Sequence, residues 1–397
     1  MTTVAWRVPG RLEVFGTHTD YAGGDVLVCA IDRGVTVEAR EVAGTEPVLI
    51  AGSDAAKSGV VIHPAAPTPY PPGHWGRYLQ TVADRLTANF GPLRPAELRF
   101  TAELPLASGM SSSSALVVAA ALALADLNGF SQTDAWTLAN PDRLQLAGYL
   151  ACVENGKSWG ALAGALGVGT LGGSEDHTAM LCGQADRLSQ YRFDPLSLVQ
   201  TVTFPADWAF VVAVSGVRAE KTAAALADYN RASLATAEVL RRWQEATGRQ
   251  DPSLAAALRV DAERLTAVVA DSPALARRLA HFVVESTELV PAAAQAFAQA
   301  DRTAVAEAAA RSHRAAADLL GNQVPQTNAL ADLAHALGAP AASFGAGFGG
   351  SVWALVSTGE AEAFAAEWLD GYRARFPELS DASVLVTRPG PAASRLD

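Results

Sequence analysis

Pro105–Ala115 reads PLASGMSSSSA and runs straight into the apolar stretch Leu116–Leu124. A flexible turn, four hydroxyls and a run of small residues thus precede what reads as a buried helix. Backbone N–H groups at a helix N-terminus lack intrahelical acceptors and sit at the positive end of the helix dipole, so they bind anions readily. Gly109 permits close backbone approach to such an anion, and the serine hydroxyls can cap the helix, contact phosphate oxygens or ligate Mg²⁺. No Lys follows the glycine at the Walker spacing, so the segment is not a loop of that kind. Taken alone, a serine-rich turn capping a core helix is the simpler reading. The rest of the chain decides.

The chain has 397 residues, half of them hydrophobic and 18% charged, which suits a globular protein of one large domain or two. A net charge of −11 argues against general affinity for nucleic acid or an anionic membrane, while leaving room for a local phosphate site. Cys29, Cys152 and Cys182 form no CxxC pair or zinc spacing, so a reducing cytoplasm is the expected location. The first residues, MTTVAWRVPG, lack the basic and apolar regions of a signal peptide. Leu104–Ala125 is uncharged but contains Pro105 and several serines, and its apolar part is too short to span a bilayer.

Working outward, Ala96–Glu103 reads as a strand feeding the serine turn, so the order is strand, turn, helix. Upstream, Leu12–Phe15, Val26–Arg40, Val48–Ala51 and Val60–His63 are strand-like, and His74–Asn89 has helical periodicity. The Gly/Ala-rich stretch Trp159–Gly173 reads as a loop or a weakly specified helix. Beyond the strand Phe210–Ser215, residues 219–320 are mostly helical, with breaks near Gly248–Pro252 and Ser272–Pro273. Ser343–Ser357 and Val384–Thr387 close the chain as strands around the helix Glu360–Tyr372. The fold class is therefore α+β, with a domain junction in the region 185–205.

Two further stretches carry chemistry. Pro9–Gly24, PGRLEVFGTHTDYAGG, ends a strand in a loop that presents Arg11, His18, Asp20 and Tyr21. Carboxylates accept hydrogen bonds from vicinal hydroxyls, so this cluster suits a polyhydroxylated ligand; a polar turn capped by Asp20 is the alternative. Ser343–Val352, SFGAGFGGSV, is a glycine-rich segment that allows close backbone approach, to a ligand or simply within a hairpin.

In this order and spacing the three motifs resemble the GHMP small-molecule kinases, and within them the galactokinases. PGRLEVFGTHTDYAGG resembles PGR…GEHTDYN-G, PLASGMSSSSA resembles P-L-G-x-G-L-S-S-S-A, and SFGAGFGG resembles T-G-G-G-F-G-G. HWGRYL at His74–Leu79, DYNRA at Asp228–Ala232 and Ser312–His313 are weaker matches, so the likeness runs from about Val8 to Leu355.

The resemblance implies an N-terminal domain over 1–195, related to the second domain of ribosomal protein S5, and a ferredoxin-like C-terminal domain over 196–397, with the active site between them. It implies ATP- and Mg²⁺-dependent phosphorylation of the C1 hydroxyl of a monosaccharide, by a monomer or weak homodimer without nucleic-acid or membrane partners. Ser108, Gly109, Met110, Ser111, Ser112, Ser113 and Ser114 would hold the ATP phosphates, with Trp75 stacked on adenine. Ser112 and Glu154 would ligate Mg²⁺. Asp176, in GGSEDH, matches the family's G-I-M-D-Q aspartate and would act as base or orienting group, with Arg11 beside it. Thr17, His18, Asp20, Gly173 and Tyr229 would contact the sugar.

Four departures from the galactokinase pattern bear on specificity. Thr17 stands where the family has the Glu placed on the C6 hydroxyl, which removes both a strong acceptor and the repulsion of a C6 carboxylate. Galacturonate, or a sugar altered at C6 such as fucose or arabinose, then competes with galactose as substrate, unless a neighbour such as His18 compensates. Glu13 replaces a neutral polar residue, the interval from Glu154 to Asp176 is longer than the family's, and SEDH replaces IMDQ with His177 beside the base. A kinase for a non-sugar alcohol fits the HTDY and DYNRA segments less well. A non-catalytic sugar and ATP sensor fits the intact serine motif and Asp176 less well.

Overall fold

Pro9, Gly10 and Gly34 set the first architectural feature, because Pro lacks an N–H to donate to the ladder and Gly weakens a strand. The computed structural model describes residues 2–46, 48–105, 109–217 and 223–396; Ser108 lies outside them. Twelve strands are formed by the described residues: β1 (Thr3–Phe15), β2 (Asp25–Glu41), β3 (Leu49–Ser53), β4 (Val60–Ile62), β5 (Ala96–Ala102), β6 (Arg187–Phe193), β7 (Leu196–Thr203), β8 (Trp208–Val214), β9 (Ala341–Phe344), β10 (Ser351–Ser357), β11 (Ser383–Thr387) and β12 (Ser394–Leu396). The β1–β2 ladder shifts register between Pro9 and Arg11 and again between Glu13 and Phe15. Such irregularities bend a strand and re-aim its side chains. Between them the pairing is regular, so Arg11 and Glu13 share one face while Leu12 enters the core.

The first sheet runs β12-β1-β2-β5-β3-β4, and β6 pairs with the start of β2 and with β7. Long β2 serves two neighbours: Asp25–Val28 pair with β6, and Val35–Glu41 pair with β5. The helix Ser112–Leu127 packs against β1 and β2. Its Ala/Val/Leu sequence is apolar all round, and the structure accordingly buries it on nearly every side. Trp6 Nε1 donates to Asp126 Oδ2 at 2.9 Å and ties the far end of this helix to β1.

The second sheet is antiparallel, ordered β11-β8-β10-β9, and packs beneath Pro325–Ala336 and Ala361–Arg375. Between the sheets in sequence lie Ala223–Thr247, Leu254–Val260, Ala262–Ala267, Pro273–Val283, Val290–Ala298 and Arg302–Ala315. The expected helical breaks near 250 and 272 are both present, and Asp261 and Asp301 add further caps by accepting from Arg264 N and Ala304 N. Residues 195 and 196, the expected domain boundary, fall in the turn of the β6–β7 hairpin, and β12 returns to the edge of the first sheet.

Trp159–Gly173 runs as a loop, with a single bridge between Trp159 and Leu162. Val168 N donates to Glu154 O at 2.9 Å, and a Cβ on Gly167 would lie 2.6 Å from the Glu154 carbonyl. The glycines thus let the loop lie on the end of Arg143–Asn155. No helix among the described residues is long and apolar enough to cross a membrane.

Candidate active site

β1 delivers Arg11 to the centre of a cavity. Arg11 Nε lies 2.7 Å from Asp176 Oδ1 and 3.3 Å from Glu175 Oε1, and its Nη1 donates to the Gly109 carbonyl. Burial opposes the guanidinium charge, but Asp176, Glu175 and Glu13 outweigh it and raise the Arg11 pKa. Burial likewise works to raise Asp176, yet Arg11, the Ser111 hydroxyl and His177 hold its carboxyl below the ordinary value. Ser114 Oγ donates to Asp176 Oδ2 at 3.2 Å. Asp176 therefore stands as an anion between a guanidinium and the serine turn.

Ser111 adopts a left-handed backbone (φ 57°) just before the helix Ser112–Leu127 and makes no side-chain cap hydrogen bond. The first regular helix bond is Ala115 N to Ser111 O, so the turn before it points amides towards the cavity end of the helix. Gly109, Ser111, Ser112, Ser113 and Ser114 all line the cavity. Met110 does not: it is fully buried in the core, and its carbonyl accepts from Arg11 N at 3.4 Å. Trp75 is also outside the wall, edge-on to Phe100 with ring centroids 6.5 Å apart.

The opposite wall comes from the loop after β1. Asp20 accepts from Tyr21 N at 2.7 Å and from Glu175 N at 3.1 Å, the latter at the start of the helix Glu175–Cys182. Burial pushes its carboxyl up to about 6, opposed by the Glu175 amide and reinforced by Asp176. A Cβ on Gly173 would lie 2.2 Å from Asp20 Oδ2, so only glycine fits there. His18 has a left-handed backbone (φ 58°), and its Nε2 sits 3.2 Å from the Ala346 carbonyl. A carbonyl can only accept, so Nε2 carries the proton and Nδ1 accepts from Tyr21 Oη at 2.8 Å. Burial, with Arg278 nearby, pushes His18 down to about 4 and keeps it neutral. Tyr229 completes this wall, with its ring 5.4 Å from that of His18 and its hydroxyl raised well above the ordinary value by burial and by Asp20.

Glu154 and His177 meet at the floor, Nε2 to Oε2 3.2 Å, both lining the cavity. Thr17 lies outside the wall. It is buried, and its hydroxyl donates to Glu13 Oε1. Glu13 and Glu175 do face the cavity and were not among the expected contacts. Burial and the neighbouring Glu13 raise the Glu175 carboxyl well above its usual range. A signal for Glu13 existed in the sequence: it follows Arg11 by two positions on a strand, which is one face. The closing glycine motif contributes Gly345, Ala346, Gly347 and Phe348, with Gly345 and Gly347 at φ 74° and 78°. The arrangement brings an anion-binding helix start, an Arg–Asp pair and a hydroxyl-binding wall together, which suits transfer of a charged group to a polyol.

A model of the galactokinase galactose-binding signature matches residues 2–41, and one of the GHMP kinase N-terminal domain matches residues 77–160. The galactokinase of Chloroflexus aurantiacus is 30% identical over 377 residues, covering 93% of this chain and 88% of that protein. The chain belongs to the galactokinase family of GHMP kinases. It is accordingly a sugar-kinase enzyme, of a family whose co-substrate is ATP. The crystal structure of Lactococcus lactis galactokinase complexed with galactose superposes with a TM-score of 0.82 at 24% identity, over 99% of this chain and 95% of that one. The Methanococcus jannaschii mevalonate kinase shares the GHMP fold at a TM-score of 0.53 and 14% identity, over 98% of each chain. The expected GHMP kinase fold is thus observed.

Proposed function

We propose that the enzyme transfers the γ-phosphoryl group of ATP to the C1 hydroxyl of galactose or a closely similar neutral hexose. The observation that carries this reading is the Arg11–Asp176 pair at 2.7 Å, with the serine helix start on one side and Asp20, His18 and Tyr229 on the other. Phosphoryl transfer needs positioning and charge neutralisation more than covalent help. Asp176 accepts the hydrogen bond of the attacking hydroxyl and orients it. Because Asp176 is held below the ordinary carboxyl range, it takes the proton late, as the oxygen becomes acidic on bonding to phosphorus. Arg11 offsets the negative charge that gathers between sugar and phosphate.

Mg²⁺ is hard and prefers oxygen ligands, keeping several waters and substrate phosphates in its shell. Ser112 and Glu154 both offer oxygens to the cavity and fit such a cation, whereas the described residues hold no cluster of three or more His, Cys, Asp or Glu suited to a metal. When bound there it would neutralise phosphate charge. Asp20, Gly173 and Tyr229 hold the sugar, and Gly109 with Ser111–Ser114 hold the phosphates.

The wall disfavours a uronic acid. Glu13, Asp20, Glu175 and Asp176 face the cavity, against Arg11 as the one Lys or Arg side chain of the described wall. A substrate carboxylate would meet carboxyl groups rather than a cation. We also set the domain boundary between β7 and β8, which keeps the β6–β7 hairpin whole, and read the three free cysteines as fitting a cytoplasmic enzyme. The test is ADP release with ATP and Mg²⁺ over galactose, galacturonate, glucuronate, fucose and arabinose. Galactose should be the best acceptor and the uronates inert. ADP release with galacturonate above that with galactose would reject the neutral-sugar reading, and sugar binding without any ADP would reject catalysis.

A further inference from the structure

Gly169–Gly173, GTLGG, ends the loop that returns the chain from Glu154 to Asp176, and three of its five residues are glycine. It forms neither helix nor strand, so its backbone polar groups must find partners elsewhere. Side chains supply them. Asn230 Oδ1 accepts from Leu171 N at 2.9 Å, and its Nδ2 donates to Gly169 O at 3.0 Å. These two bonds flank Thr170 as those of a neighbouring strand would, and they fit only one orientation of the carboxamide. Ser233, about one turn further along the helix Ala223–Thr247, donates its hydroxyl to Leu171 O at 3.1 Å. From the helix Arg143–Asn155, Asn155 Nδ2 donates to Gly172 O at 3.1 Å.

The clamped strap is also part of the cavity wall. Thr170, Gly172 and Gly173 line the cavity, and so does Tyr229, the residue next to Asn230. A Cβ on Gly172 would lie 3.0 Å from Tyr229 Oη, so the strap's backbone is a backstop for that hydroxyl. Glycine brings no side chain to fix the strap by packing, and the clamp therefore decides where the backstop stands. Asn230 and Ser233 themselves do not line the cavity.

We propose that Asn230 and Ser233 are positioning residues for sugar binding, which clamp the strap against the helix Ala223–Thr247 and so fix the Tyr229 hydroxyl. This rests on the sugar-kinase reading above and deepens it. Loss of the clamp loosens the wall that holds the sugar and leaves the serine turn as it is.

Steady-state kinetics with galactose and ATP test this on the parent, N230A, S233A, S233T, Y229F and the double variant N230A/Y229F. N230A should raise KM for galactose by about 10-fold, with kcat and the ATP KM within about twofold of the parent. S233A should raise it by about 3-fold, and S233T, which keeps the hydroxyl, should match the parent. In the Y229F background N230A should add less than about twofold, because the hydroxyl it positions is gone. An unchanged galactose KM in N230A, an equal rise for ATP, S233T behaving as S233A, or N230A and Y229F effects that multiply overturns the assignment and leaves the kinase reading intact. A parent enzyme that phosphorylates no sugar overturns both. Should N230A fail to fold, the S233A and S233T pair carries the test alone.

Discussion

The two walls of the cavity are held in different ways. The wall proposed to hold phosphate is made of backbone and small hydroxyls on one turn, braced to β1 by Arg11 through the Gly109 and Met110 carbonyls. The wall proposed to hold the sugar is a loop tied to segments far away in sequence by buried polar groups. Arg278 donates to the His18 carbonyl and, at 3.1 Å, to Tyr21 Oη; Glu285 accepts from Gly16 N at 3.0 Å and from Ser312 Oγ at 2.6 Å; and Ser286 Oγ accepts from Asp25 N at 2.8 Å. Phosphate is the same in every co-substrate molecule, so generic donors suffice. A sugar is told from its isomers by where hydroxyls point, and that needs side chains fixed from behind. Variants on the two sides should therefore separate in which substrate they disturb.

The largest effect belongs to the group both walls share. Asp176→Asn should lower kcat by about 10²- to 10⁴-fold while sugar binding, followed by calorimetry, changes little. A variant with near-parental kcat would show that Arg11 and the helix start suffice without it. Gly173→Ala comes next, because its Cβ would strike Asp20 Oδ2 at 2.2 Å. The sugar KM should rise by about 10- to 100-fold with the ATP KM unchanged, and a matching rise for ATP would dissolve the contrast between the walls.

Arg278→Met removes the brace from behind the sugar loop and leaves the His18 carbonyl without this donor. Chemical denaturation should show a loss of about 2–4 kcal/mol, and the surviving folded enzyme should bind sugar worse than ATP. The smallest effect is a pH slope. Burial, reinforced by Glu13, pushes Glu285 up to about 7 from an ordinary 4.5 against the pull of hydrogen bonds from Ser312 and from the Gly16 and Thr17 amides. Its neutral form is the one the fold prefers, so this stabilisation is complete below pH 4.5 and is lost as pH rises through 7. Between pH 5 and 8 the group should cost the parent on the order of 2–3 kcal/mol in denaturation experiments. E285Q cannot ionise and should show a flatter profile, whereas parallel profiles would mean that Glu285 does not titrate in this range.

Most of the fold was legible because local chemistry and global role coincide. The strand before Gly109, the serine turn and the uniformly apolar helix behind it demand one arrangement, and the structure shows it. Asp20, Gly173, Asp176 and Tyr229 also come together as the motifs imply. What escaped was set by long-range geometry. Thr17 was expected to contact the sugar, whereas its hydroxyl donates to Glu13 and it lies outside the described cavity wall. Arg278 and Glu285 lie in an ordinary-looking helical stretch, where nothing local marks them as partners of residues 260 and 269 positions away. Trp75 matched a family segment, yet its ring packs on Phe100.

The acidic cavity wall, with Glu13, Asp20, Glu175 and Asp176 against Arg11, is proposed to select a neutral hexose over a uronic acid. A direct competition tests it: equimolar galactose and galacturonate with limiting ATP and Mg²⁺, the sugar phosphates resolved by NMR. Galactose 1-phosphate should account for nearly all the product, by a factor of about 100 or more. A mixture in which galacturonate 1-phosphate equals or exceeds it would contradict the claim.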